Sequence, residues 1–164
     1  MAIDSVDRIV QAWAKRDPHL DASPLEVAGR LLLCAAHLER AIVAALEPFE
    51  LSFGDFDVLN TLRRRGDKLG TNPSDLARSS LITTGAMTAR LDRLERAGLI
   101  RRAPDPTDRR AVRVHITEEG EQLAEQALHA VIAADKAFLE PLSQRRRDSV
   151  ASALKQLLLR AESD

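Results

Sequence analysis

Tyrosine is absent from this sequence, and cysteine and tryptophan occur once each. A lone thiol, Cys34, closes no intramolecular disulfide and supplies no thiolate cluster, which excludes a disulfide scaffold and zinc-thiolate chemistry. No run approaches the roughly 20 uncharged apolar residues of a membrane helix. The opening MAIDSVDRIV carries two aspartates and an arginine where a signal peptide has its apolar segment, so a cytoplasmic location is expected. Aromatic residues make up only 3% of the chain, against 45% hydrophobic and 30% charged, and the wealth of Ala, Leu, Arg and Glu favours helix over sheet. Catalytic signatures are also missing. There is no glycine-rich phosphate loop, no HExxH and no GxSxG, so no enzyme and no cofactor are expected. His19, His37, His115 and His129 are scattered over separate elements, which argues against a metal site.

What is present is one domain's worth of chain, 164 residues, with charge unevenly placed. The net charge of −1 gives no global hint of a polyanionic partner. From Arg78 to Arg113, however, nine arginines face four acids, a local +5 that leaves −6 for the remainder.

The hydrophobic periodicity predicts mostly helix. Ile3, Val6, Ile9, Val10 and Trp13 recur at helical spacing over residues 3–15. Ser23-Pro24-Leu25-Glu26 combines an N-cap, a proline at the first helical position and a capping-box glutamate, starting a helix to about Glu47. A helix over 54–65 carries Val58, Leu59 and Leu62 as its core stripe and stops at Gly66. Asn72-Pro73 opens a short helix to Ser79 or Ser80. Leu81-Ile82-Thr83 makes a tight turn, and Thr84 caps a helix to Ala97 that ends at Gly98. Leu99–Arg102 and Val112–Ile116 read as two strands flanking a polar loop. Thr117 caps a long helix to about Leu139, and Ser143 opens a last one to about Ala161.

Short helix, tight turn, second helix, then hairpin is the order of a winged helix-turn-helix, whose second helix enters the major groove of DNA. On that helix Met87, Leu91 and Leu94 share one stripe, while Ala89, Asp92 and Arg96 lie opposite. Thr83, Thr84, Thr88 and Ala89 are small or hydroxylic residues that let backbone approach DNA, with Arg93 one turn further on. Asp108-Arg109-Arg110 at the hairpin tip puts two guanidinium groups on a projection able to enter the minor groove, and Asp108 can pair with one of them. Capping threonines and solvated arginines would explain either segment alone; their joint order is what points to DNA.

LSFGDFDVLNTLRR and NPSDLARSSLITTGAMTARLDRLERAGLIRRAPDPTDRRAVRVHITEEG, with the flanking long helices, resemble the MarR family of bacterial regulators from about Pro24 to the C-terminus. The TxRLxRLExxGLIxR stretch followed by DPxDRR carries the likeness. It implies one α+β domain, mostly α with a small β-hairpin wing, over residues 1–164. Within it, residues 1–48 and 118–164 would form dimerisation helices and 54–117 the DNA-binding region. It further implies a homodimer on a pseudo-palindromic operator, usually as a repressor. The early helix bearing Trp13 resembles the urate-responsive branch. That likeness implies a pocket for urate or another small anionic metabolite at Trp13, Asp57, Arg64 and Arg90, with Arg90 placed to serve the pocket as readily as DNA. Asp57 and Arg64 fall within about 20° of one another on their helix, and Arg90 about 60° from its core stripe. Two alternatives stand beside this: a redox sensor using Cys34, although LLLCAAHL is a setting for a buried, inert thiol, and a ligand-independent helical interaction protein.

Overall fold

The computed structural model describes residues 2–80, 87–108 and 111–163. The chain falls into two compact units, residues 1–41 and 42–164.

In the first unit, α1 (Ser5–Arg16) begins with a capping box that sequence inspection had not marked. The Asp7 amide donates to Asp4 Oδ1 and the Asp4 amide to Asp7 Oδ2, each at 2.9 Å. Two carboxylates at a helix N-terminus suit the helix dipole. Arg30 of α2 (Pro24–Leu46) bonds both of them, at 2.8 and 2.6 Å. Val6 packs over Gly29, where an added Cβ would lie 3.2 Å from its methyls. Just ahead of α2, the Asp21 carboxylate accepts both the Ser23 amide, at 3.0 Å, and the Ser23 hydroxyl. Cys34 is exposed on α2, not buried as its apolar neighbours suggested, because those neighbours are themselves exposed: Leu31, Leu32 and Leu33 all face outward.

The second unit starts in the last turns of α2 and passes through a 3₁₀ turn at Glu47–Phe49. α3 (Phe53–Arg65) is capped by the Ser52 hydroxyl, which accepts the Asp55 amide, and ends at Gly66 with φ +60°. Asn72 caps α4 (Pro73–Ser79) by accepting the Ser74 amide at 2.9 Å. α5 is described over Met87–Arg96; the tight turn and Thr84 cap expected ahead of it lie outside the described residues. Gly98, at φ +75°, releases the chain into β1 (Ile100–Pro104), which pairs antiparallel with β2 (Val112–Ile116) from Ile100↔Ile116 to Pro104↔Val112. Thr71 exchanges two backbone bonds with Val114, an isolated antiparallel bridge to β2. Thr117 caps α6 (Glu118–Phe138) through the Gly120 amide. α7 (Gln144–Ala161) follows Ser143, whose hydroxyl makes no cap bond, so the carbonyl of Ser143 does the work of starting the helix.

Val58, Leu59 and Leu62 of α3, Leu76 of α4, Met87, Leu91 and Leu94 of α5, Ile100 and Val114 of the hairpin and Ala124 of α6 form one core. The hairpin and α5 are thus mounted on α3. By contrast, α7 has no buried residue, and Val150, Leu154, Leu157, Leu158 and Leu159 are all exposed.

Candidate nucleic-acid interface and ligand cleft

α5 separates its faces as its periodicity requires: Met87, Leu91 and Leu94 are buried, while Thr88, Ala89, Arg93 and Arg96 are exposed. Three arginines fasten this helix. Arg102 of β1 reaches Asp92 at 2.7 Å and Glu95 at 3.2 Å, and its amide donates to Glu95 at 2.9 Å, so helix and wing are joined. Arg93 forks onto Asp55 at the start of α3, Nη2 at 2.8 Å and Nε at 3.3 Å. Arg90 lays its guanidinium over Gly54, where a Cβ would fall 2.5 Å from Nε. Arg93, expected at DNA, thus also makes an ion pair within the fold. Neither Asp55 nor Arg102 was singled out from sequence. The available signal for Asp55 was its position three residues after the Ser52 cap; a fork to a residue 38 positions away leaves no local mark.

The wing is organised by another acid that pattern reading passed over. Asp105 is 5% exposed and accepts the Thr107 amide and hydroxyl, both at 2.7 Å, the Asp108 amide at 3.1 Å and Arg113 Nε. The Thr107 hydroxyl above all, then the Thr107 amide and Arg113, hold its carboxyl far below the usual carboxylate range. Asp108 is exposed at the tip. Thr83, Thr84, Arg109 and Arg110 lie outside the described residues.

Asp57 and Arg64 line one open cleft of ≈ 880 Å³ between α3 and α6, together with Phe56, Asn60, Thr61 and Leu128. Asp57 is 6% exposed, so it is no solvated surface charge. Arg64 is exposed and donates to the Ser79 carbonyl at 2.8 Å. Gly54, Asp57, Thr61 and Arg64 follow one another at three- and four-residue steps, so Arg90 sits one turn along α3 from Asp57 and toward the end opposite Arg64. The α6 wall is acidic: Glu118, Glu121 and Glu125 face the cleft, and Glu125 pairs with Arg63 at 3.1 Å. Trp13 belongs to the first unit, where it is 43% exposed on α1. Among the described residues no group of three or more His, Cys, Asp or Glu is arranged to hold a metal, and no helix is long and apolar enough to cross a membrane.

Comparison with known proteins agrees with this architecture. A profile described as MarR family matches residues 51–112. The chain is 36% identical over 149 residues to the HTH-type transcriptional regulator PecS of Dickeya dadantii (strain 3937), covering 91% of this chain and 90% of that one. A mutant MarR of E. coli complexed with operator DNA superposes with a TM-score of 0.72 at 26% identity, over 85% of this chain and 99% of its own. Wild-type E. coli MarR in its apo form gives 0.66 at 27% identity, over 79% and 96%. The chain therefore belongs to the MarR family and is a winged-helix transcriptional regulator, not an enzyme.

Proposed function

We propose that this regulator binds a pseudo-palindromic operator as a homodimer, represses from it, and is released by a small anionic metabolite such as urate. The observation that carries the DNA half is the Arg102 junction: it ties the wing to α5, whose Thr88 and Ala89 are exposed, so major-groove and minor-groove readers move as one body. In this reading Thr83, Thr84, Thr88, Ala89, Arg90 and Arg93 meet the major groove, and Asp108, Arg109 and Arg110 the minor groove. The outward leucines of α7 support a dimer, since an isolated chain gains nothing from exposing them.

The cleft supports the ligand half. Asp57 and Arg64 share it and Arg90 flanks it, while the resemblance adds Trp13. With carboxylates on α6 opposite Arg64, the lining favours a molecule that offers N–H donors along with an anionic edge, which urate does.

Footprinting on the DNA flanking its own gene tests both halves. Two protected half-sites about one helical turn apart are expected, with affinity falling steeply as salt rises and with release on adding urate or trans-aconitate. Trp13→Ala keeps operator binding and blunts release. A monomer in solution overturns the dimer, and intact complexes at millimolar ligand overturn the ligand class.

A further inference from the structure

Asp105 has more partners than a hairpin tip requires. Around it Pro106, Thr107 and Asp108 are exposed, yet its own carboxylate is buried and saturated, with Oδ1 taking Thr107 twice and Asp108 once and Oδ2 taking Arg113. The same Arg113 continues to the Gly70 carbonyl at 3.4 Å, on the segment whose next residue, Thr71, is bonded to β2. That segment is itself anchored: Thr71 donates to Asp67, which Arg65 of α3 holds at 2.9 Å. Gly70 is at φ +78°, and a Cβ there would fall 2.9 Å from Arg113 Cβ and 2.6 Å from His115 Nε2, so the close approach of Arg113 to this backbone requires glycine. The loop is also closed on itself, the Asp105 amide donating to Ala111 and the Ala111 amide to Asp108.

None of the side chains making these bonds belongs to the hydrophobic core below them. Their effect is to fix Asp105, Thr107, Asp108 and Ala111 relative to β2 and to the end of α3. We propose that Asp105 and Arg113 are positioning residues of the wing, holding the residues on either side of Arg109 and Arg110 in place before DNA arrives. The assignment rests on the operator-binding reading, and deepens it by naming what orders the minor-groove reader. A reader whose flanking residues are held in advance loses less freedom on binding and binds tighter for the same contacts.

The test uses full-length protein and duplex DNA from upstream of its own gene. Asp105→Ala and Arg113→Ala each weaken binding about tenfold, on the scale by which preorganisation raises affinity. Hydroxyl-radical protection in the minor groove flanking each half-site is lost, while guanine N7 protection in the major groove persists. Asp105→Asn, which keeps acceptors for Thr107 and Asp108 but loses the charge facing Arg113, falls between the two. In an Arg109→Ala/Arg110→Ala background, adding Asp105→Ala changes affinity less than about twofold, because the groups it positions are gone. A further tenfold loss in that background would mean a general structural role and overturns the proposal, as do unimpaired single variants. Should Asp105→Ala not fold by circular dichroism, Asp105→Asn and Arg113→Ala complete the same cycle. If wild type fails to bind the fragment while intact protein is shown by its circular dichroism, the operator reading falls, and the wing assignment falls with it.

Discussion

Gly120 joins the hairpin to the long helix behind it, and replacing it by alanine should cost more than the same change at any other described glycine. It lies at the third position of α6, buried, with its Cα against the Leu99 carbonyl. An added Cβ would stand 2.0 Å from Leu99 O and 3.0 Å from both Leu99 C and Ile116 Cγ1. Carbon and carbonyl oxygen approach no closer than about 3.3 Å, so the overlap exceeds 1 Å by a clear margin. No rotamer relieves it, because the obstacle is backbone, and that oxygen already accepts the Thr117 amide at 3.0 Å. Either α6 or the start of β1 has to move. Overpacking costs about 1–3 kcal/mol and occasionally more, while alanine returns about 0.5–1 kcal/mol of helix propensity. A clash with fixed backbone belongs at the top of that range, about 3 kcal/mol, and the returned propensity leaves a net loss of about 2 kcal/mol. With about 2–4 °C of Tm per kcal/mol at this chain length, Gly120→Ala melts about 4–8 °C below wild type. Urea unfolding followed by far-UV circular dichroism, at one fixed protein concentration, measures it. A loss below about 1 kcal/mol would refute the close approach on which the figure is built.

Two further outcomes follow from charged groups. In a double-mutant cycle on thermal unfolding, Asp55→Ala and Arg93→Ala should couple by about 1–2 kcal/mol, more than a fully exposed pair because Asp55 is buried and the contact is a fork; additive losses would show that the fork is not formed. Burial holds the Asp135 carboxyl above its usual pKa, and among the described residues its Oδ1 has no hydrogen-bond partner. For an acid raised in the folded state, stability is full below the unfolded value near about 4 and is lost as pH rises through the folded one. Asp135→Asn should therefore unfold at higher urea than wild type at pH 7 and match it below about pH 4; an equal gain at both would refute it.

Most of the fold was legible because its signals are local. Pro24, Pro73, Asn72, Thr117, Gly66 and Gly98 each act within one turn of where they stand, and the observed ends fall within a residue or two of the expected ones. Burial was less legible than secondary structure. An apolar run such as LLLCAAHL marks a face that needs covering without saying what covers it, so Cys34 was expected inside and stands exposed. The site divides in the same way. Asp57 and Arg64 share a helix, so their meeting could be read from spacing, and they do line one cleft. The forks of Arg93 onto Asp55 and of Arg102 onto Asp92 and Glu95, and the closure of Asp105 on Arg113, depend on where whole elements pack, and no periodicity encodes that.

Those same nonlocal pairs explain why α3 matters beyond its core stripe. A helix of 13 residues is about 20 Å long. Its first turn is held by Arg90 and Arg93 of α5, and at its last turn Arg64 and Arg65 hold the end of α4 through the Ser79 carbonyl and hydroxyl. Both α4 and α5 are thus secured to the element that forms one wall of the cleft. A molecule in the cleft that draws Arg64 away from Ser79 gives up a charged hydrogen bond, about 1.5–3 kcal/mol. Linkage sets that as the most the contact can transmit, a change in DNA affinity of about 10- to 150-fold. A larger coupling would need the other end of α3 as well, where among the described residues Arg90 of α5 lies over Gly54, on the stripe of Asp57.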